Sequence, residues 1–149
     1  MPLQPWPTTR KGDDGHPVLT LQYLLRHRGQ TLTADGVFGD KTDAALRAFQ
    51  QANQLAVDGI AGPLTWPKLI VTVQRGSVGD AVRAAQEELR TRDQSSNPQP
   101  TVDGDFGEKT EAAVRTFQEG VRAGVPDMAV DGIVGPMTWQ AMVSGMLSH

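Results

Sequence analysis

Residues 33–50 read TADGVFGDKTDAALRAFQ, and residues 101–118 read TVDGDFGEKTEAAVRTFQ. The two stretches are a constant 68 positions apart, and Asp35, Gly36, Phe38, Gly39, Lys41, Thr42, Ala44, Ala45, Arg47, Phe49 and Gln50 all recur. A second pair, VDGIAGPLTW (57–66) and VDGIVGPMTW (130–139), recurs at an offset of 73. Ahead of both lies a fainter echo, in which Val18, Gln22 and Leu25 match Val82, Gln86 and Leu89. Echoes that keep their order at this spacing mark a duplicated unit of about 68 residues. The pattern predicts a short extension (1–11), a first unit (12–70), a linker (71–75) and a second unit (76–147).

Inside each unit a shorter motif, D-G-x-x-G-x-x-T, occurs twice, at 35–42, 58–65, 103–110 and 131–138. Asp-Gly favours a tight turn, because Asp bonds the backbone ahead of it and Gly accepts positive φ. The spacing predicts Phe38, Ile60, Phe106 and Ile133 as inward anchors. The next Gly suits a helix N-cap, with Pro63 and Pro136 at the first helical position, where a missing N–H is harmless. Asp40 and Glu108 take that place elsewhere and favour the positive helix end. Thr42, Ala45, Leu46 and Phe49 then fall on one helical face, as do Thr110, Ala113, Val114 and Phe117. Trp66, Leu69 and Ile70, and Trp139, Met142, Val143 and Met146, open two further faces. Val18, Leu21 and Leu25, and Val82, Ala85 and Leu89, supply the first helix of each unit. The expectation is an all-α chain of two tandem three-helix subdomains, packed together because each core is small. The second copy carries two insertions, one within 91–101 and one within 120–129, both expected as surface loops.

Composition limits the functions available. The chain has 149 residues, no cysteine, and a net charge of -3 with 14 Lys+Arg against 17 Asp+Glu. That balance lacks the basic footprint of a nucleic-acid binder. Without cysteine there are no disulfides, zinc–thiolate sites or thiol nucleophiles. No apolar stretch approaches the roughly 18 to 20 residues of a membrane span. The N-terminal MPLQPWPTTRKGDDG has no apolar core of a signal peptide, so the chain reads as cytoplasmic at synthesis or as a piece of something larger.

Catalytic and metal signatures are missing from the pattern. His16, His27 and His149 form no H-E-x-x-H spacing. Ser77, Ser95, Ser96, Ser144 and Ser148 lie outside any G-x-S-x-G setting. Asp103-Gly104-Asp105 with Glu108 fails a calcium loop, since Gly107 falls at the fifth position and Glu108 at the sixth. The expectation is no catalytic residues, no metal and no cofactor.

The order G-x-x-V-x-x-LQ-x-x-L, DG-x-FG-x-x-T-x-x-A-x-x-x-FQ, DG-I-x-G-x-x-TW-x-x-L resembles the type 1 peptidoglycan-binding domain, over roughly 130 of the 149 residues. Copy one departs at His16-Pro17, where copy two has Gly79-Asp80, and copy two departs at Ala85-Gln86, where the family usually has Leu-Gln. The resemblance implies a three-helix fold, attachment to bacterial cell wall, an extracellular location, and association with a wall hydrolase. The ligand would be the stem peptide or aminosugar part of peptidoglycan. Candidate ligand-binding residues are Gln22, Tyr23, Asp35, Gly36, Asp58, Gly59, Gln86, Asp103, Gly104, Asp131 and Gly132. Each has a structural alternative. The glutamines, with Gln50 and Gln118, could satisfy turn backbone, and the aspartates could cap their turns. Turn loops at helix N-termini also suit a carboxylate. Trp66 and Trp139 are assigned to the core, although sugar sites often expose such rings. Trp6 is expected to cover one unit. The rival reading is a protein-interaction scaffold that partners a hydrolase without touching wall.

Overall fold

A computed structural model describes residues 3–90 and 101–147. The insertion expected within 91–101, Ser95, Ser96, Ser148 and His149 lie outside the described residues. Among the described residues the chain is helical: α1 (Val18–His27), α2 (Asp40–Ala52), α3 (Trp66–Leu69), α4 (Asp80–Arg90), α5 (Glu108–Arg122) and α6 (Pro136–Val143). Among the described residues no helix is long and apolar enough to cross a membrane.

The first three helices form one unit and the last three its repeat. Gly39 and Gly107, in extended conformation, precede α2 and α5, whose first turns carry Asp40 and Asp43, and Glu108 and Glu111. Acidic groups there complement the positive helix end. Gly135 and Pro136 open α6 as the sequence predicts. In copy one the regular helix starts only at Trp66, not at Pro63. Trp66 N still bonds Gly62 O at 3.0 Å. Pro67 has no N–H to give the carbonyl of Pro63, and it disfavours helical backbone in the residue before it. Copy two has Gln140 at that place and keeps the ladder.

Phe38, Phe106, Phe117, Trp66 and Trp139 are all buried, and with Leu21, Leu25, Leu46, Leu69 and Leu89 they fill the cores. Both tryptophans therefore belong to the packing, as assigned. The inward anchors need a correction. Ile60 and Ile133 are only half-buried, while Ala61 and Val134, one residue later, are fully buried. In D-G-x-Φ-G the third position stands at the surface and the fourth points in, so Phe38, Ala61, Phe106 and Val134 are the equivalent set.

Those four residues are also held through their backbones. Phe38 N bonds Asp13 O at 2.9 Å, Ala61 pairs with Thr9 at 2.9 and 3.0 Å, Phe106 N bonds Ser77 O at 3.0 Å, and Val134 pairs with Val73 at 2.9 and 3.2 Å. Two stretches expected outside the units are thus bonded into them. Within 1–11, Thr9 pairs with Ala61 and Pro7 O accepts the Trp66 indole N–H at 3.1 Å. Within 71–75, Val73 pairs with Val134 and Val71 O accepts the Trp139 indole N–H at 2.7 Å. Each unit is closed by the strand-like segment ahead of its first helix. Trp6 stacks on Trp66 with ring centroids 6.2 Å apart and planes 8° from parallel. Gln4 O accepts from Gln140 Nε2 at 2.7 Å, so the same segment ties unit one to α6.

The units meet along α1 and α4. Beyond the faces turned to their own cores, Thr20 and Leu24, and Ala81, Ala84 and Glu88, are buried. Small side chains on α4 allow a close approach of the two helices. The fully buried carboxylate of Glu88 accepts from Thr20 Oγ1 at 2.6 Å and lies 2.9 Å from His16 Nε2 through both oxygens. Arg26 and Asp80 form a further ion pair across the contact at 3.3 Å. The region 120–129, expected as a surface loop, extends α5 to Arg122 and then buries Val125 and Met128.

Candidate functional site

The four Asp-Gly motifs share one construction. In each, a glutamine from the preceding helix enters the turn and is itself buried: Gln22, Gln50, Gln86 and Gln118. Gln22 Nε2 reaches Asp35 Oδ1, Val37 O and Thr42 Oγ1, each at 3.0 Å, while its Oε1 accepts from Gly36 N at 2.8 Å. Gln50 repeats this with Asp58 (2.9 Å), Ile60 O (2.9 Å), Thr65 (3.2 Å) and Gly59 N (3.1 Å). Gln86 does so with Asp103 (3.0 Å), Asp105 O (3.1 Å), Thr110 (3.1 Å) and Gly104 N (2.9 Å). Gln118 does so with Asp131 (3.0 Å), Ile133 O (2.9 Å), Thr138 (3.1 Å) and Gly132 N (2.9 Å). Only a primary amide offers donors and an acceptor at one spot, which explains the residue type.

The aspartates close the turns. Asp35, Asp58, Asp103 and Asp131 each accept the N–H two residues ahead at 3.0 Å. The glycines between have φ of 79°, 69°, 78° and 75°, a region that favours glycine over any residue with a Cβ. The N–H of Val37 and the Gln22 amide hold the Asp35 carboxyl below its ordinary range, and those of Asp105 and Gln86 do the same for Asp103. For Asp58 the N–H of Ile60 is the chief cause, opposed by partial desolvation.

The structure therefore gathers the expected residues into four turns, with roles that differ by residue. Gln22 and Gln86 sit beneath the turns, where their amide atoms are engaged by the turns themselves. Asp35, Asp58, Asp103 and Asp131 stand at the surface, with Gly36 half-buried and Gly59, Gly104 and Gly132 buried. Tyr23 lies apart from the turns, half-buried against the core, with the Arg26 guanidinium 5.9 Å from its ring centre.

Two turns open into matching clefts at helix starts. One, of about 280 Å³, is lined by Asp35, Val37, Gly39, Asp40, Lys41 and Thr42. Its counterpart, of about 170 Å³, is lined by Asp131, Ile133, Gly135, Pro136, Met137 and Thr138, with 127–129 on the far side. The first runs on, through Thr33 and Lys41, into an open groove between residues 29–33 and the exposed side of α2. The first N–H groups of a helix have no partner within it, so both clefts offer backbone donors. In the first, Lys11 pairs with Asp40, which lowers the Asp40 carboxyl and raises the Lys11 ammonium. The second has a proline and a methionine at those places and is more apolar. Among the described residues no group of three His, Cys, Asp or Glu side chains is placed to hold a metal ion.

Sequence reasoning passed over two recurring partners. One is the threonine seven residues after each Asp (Thr42, Thr65, Thr110, Thr138), which is buried on the glutamine. The other is an arginine three residues before three of the glutamines: Arg47, Arg83 and Arg115. Their signal was the fixed spacing around Asp-Gly and Gln.

Comparison with known proteins places this architecture. The chain is 43% identical over 65 residues to the zinc D-Ala-D-Ala carboxypeptidase of Streptomyces albus G, covering 42% of this chain and 26% of that enzyme. It is 31% identical over 141 residues to the N-acetylmuramoyl-L-alanine amidase CwlM of Mycobacterium tuberculosis, covering 83% of this chain and 33% of the amidase. The chain thus spans a third or less of the length of these two relatives. A crystallised peptidoglycan-binding protein from Clostridioides difficile, in complex with glutamine hydroxamate, is 41% identical, with a TM-score of 0.42, over 42% of this chain and 40% of that one. The family described as "Putative peptidoglycan binding domain" matches residues 14–69 and 78–142, one match in each unit. These matches cover more than half of the sequence, and the chain belongs to that family as a tandem of two such domains.

Proposed function

We propose that this chain is a non-catalytic module that binds peptidoglycan, its two units acting together to anchor or target whatever they are joined to at the bacterial cell wall. The observation that carries the reading is the family match in both units, joined to clefts that recur beside the Asp-Gly turns. The ligand portions are the stem peptide or the aminosugars. Asp35-Gly36, Asp58-Gly59, Asp103-Gly104 and Asp131-Gly132 shape the surface they meet, and Gln22 and Gln86 hold that surface in place from below.

The chemistry supports a peptide carboxylate at the helix starts, where oriented N–H groups and the helix dipole favour negative charge. In the first cleft Lys41 adds a cation, and Lys11 offsets Asp40. Two weak sites on one chain gain avidity against a polymer that repeats its epitope. A role beside a wall hydrolase accords with the names of the relatives, of which this chain spans only a part.

The test is co-sedimentation with purified insoluble cell wall. The reading predicts saturable loss of the protein from the supernatant. It fails if the protein stays in the supernatant while an established wall binder sediments.

A further inference from the structure

The four turns are alike except at one place. In three of them an arginine from the preceding helix lies across the turn glycine. Arg47 reaches Val57 O and Asp58 O, both at 3.4 Å, Arg83 reaches Asp103 O at 3.4 Å, and Arg115 reaches Val130 O at 3.1 Å. Each guanidinium also has an acidic neighbour on its own helix. Arg47 pairs with Asp43 at 3.1 Å and Arg83 with Asp80 at 3.0 Å, and Glu111 sits beside Arg115 over Gly132. A Cβ added at Gly59, Gly104 or Gly132 would meet these side chains at 2.6–3.2 Å, whereas one added at Gly36 would meet nothing within 4 Å.

At the first turn the arginine's place is taken by Leu19, three residues before Gln22. The place of Asp43 and Glu111, seven residues before the glutamine, is taken by Gly15, and that of Asp80, six before it, by His16, which is turned to Glu88. The vacated seat is a cleft of about 190 Å³, lined by Gly15, His16, Leu19, Thr20, Gly36 and Glu87. Five of these are the counterparts of Gly79, Asp80, Arg83, Ala84 and Gly104, which make up the Arg83 seat in unit two. The sixth, Glu87, comes from α4 of the other unit. It restores an acidic wall, and among the described residues Arg90 is a loose partner at 3.8 Å.

We infer that this cleft takes the cationic end of a ligand: a primary ammonium on an alkyl stem, as in the diamino acid of a wall stem peptide. The naming of that peptide rests on the wall-binding reading above. The ammonium replaces the guanidinium of the sister turns, donating to the carbonyls of the Asp35 turn and facing Glu87, while Leu19 packs along the stem. The charge facing the seat is otherwise carried by Glu88 with His16, and by Arg90 beyond Glu87. The carboxylate cleft described above lies across the same turn, so one turn presents complementary surfaces for both charges of a diamino acid.

The experiment is a ¹H–¹⁵N NMR titration of the whole chain with the tripeptide L-Ala-γ-D-Glu-L-Lys and with its Nε-acetylated form. The free amine is expected to shift the amides of Gly15, Leu19 and Gly36 saturably, and acetylation to weaken binding by about tenfold or more, the scale of a lost charge-assisted hydrogen bond. Leu19→Arg, which fills the seat from within as the sister turns do, is expected to abolish those shifts while leaving the rest of the spectrum in place. Glu87→Gln, at a partly exposed position, is expected to weaken binding several-fold, and it decides the matter if Leu19→Arg does not fold. Absence of shifts at Gly36, equal binding of the acetylated tripeptide, or undiminished binding by the folded variants would overturn the inference. Wall sedimentation of the unaltered chain is scored separately: if it holds while acetylation has no effect, only the ammonium seat fails; if it fails while the amine dependence holds, only the wall-binding reading fails.

Discussion

Replacing Gln86 with leucine tests the construction of the turns, because it keeps the bulk of the side chain and removes its polarity. Gln86 is fully buried. Its amide serves Asp103 Oδ1, Asp105 O, Thr110 Oγ1, Asp103 N and Gly104 N at 2.9–3.1 Å. Asp103 and Asp105 are exposed and can turn to water, whereas Gly104 and Thr110 are buried and cannot. Two buried polar groups left without this partner cost about 1–3 kcal/mol each, and the better burial of leucine recovers part of that, so the net loss is about 3 kcal/mol. For a chain of this size that corresponds to a fall in melting temperature of about 10 °C. Thermal unfolding followed by circular dichroism gives the fall, and hydrogen exchange should show the Gly104 amide losing protection first. Gln22→Leu, Gln50→Leu and Gln118→Leu should behave alike, within a factor of about two. A melting temperature within about 2 °C of the parent's would refute the assignment of these amides as pins of the turns.

Acid should loosen the turns. Asp35, Asp58 and Asp103 have carboxyls lowered in the folded state, so their contribution is present above the ordinary carboxylate range near pH 4 and is lost as pH falls through the folded values. The triple variant D35N/D58N/D103N should show a shallower fall in melting temperature between about pH 4 and pH 2 than the parent, and equal slopes would contradict this. His16→Ala removes the imidazole beside the buried Glu88 carboxylate and should cost about 2 kcal/mol in urea unfolding, less than a fully buried pair because His16 is partly exposed; an unchanged midpoint would count against this contact as a bond between the units. Trp6→Ala removes the stack on Trp66 and should cost about 1–2 kcal/mol with a change in tryptophan fluorescence; neither effect would mean that the N-terminal segment does not cover unit one.

Much of this architecture was legible in the residues. Asp-Gly at fixed distance from the following Gly and Thr named every turn and the helix after it, because those positions need particular side chains: a glycine at positive φ and a short hydroxyl. The ambiguity over Gln22 and Gln86 could not be resolved from sequence, since a buried amide and a surface amide are written with the same letter. The closing segments escaped notice for the opposite reason. Thr9 and Val73 hold Ala61 and Val134 through backbone groups, which any residue but proline supplies, so 7–9 and 71–73 carry almost no common signature. Ile60 and Ile133 looked like anchors because they are the larger residues, but the turn's alternation sends the neighbouring Ala61 and Val134 inward. The contact between α1 and α4 was expected only in general terms. It is made with Thr20, Ala81, Ala84 and Glu88, small or polar residues that make no apolar stripe. The open seat over Gly36 shows only when the four turns are aligned on their glutamines and Leu19 is seen where the others have arginine.

The most direct measurement is to follow the backbone amides of the whole chain by NMR during titration with soluble fragments of purified cell wall. The account predicts saturable shifts concentrated at residues 35–42 and 131–138, the turns that open into clefts. Shifts confined to surfaces away from all four Asp-Gly turns, or none at concentrations that saturate an established wall binder, would contradict it.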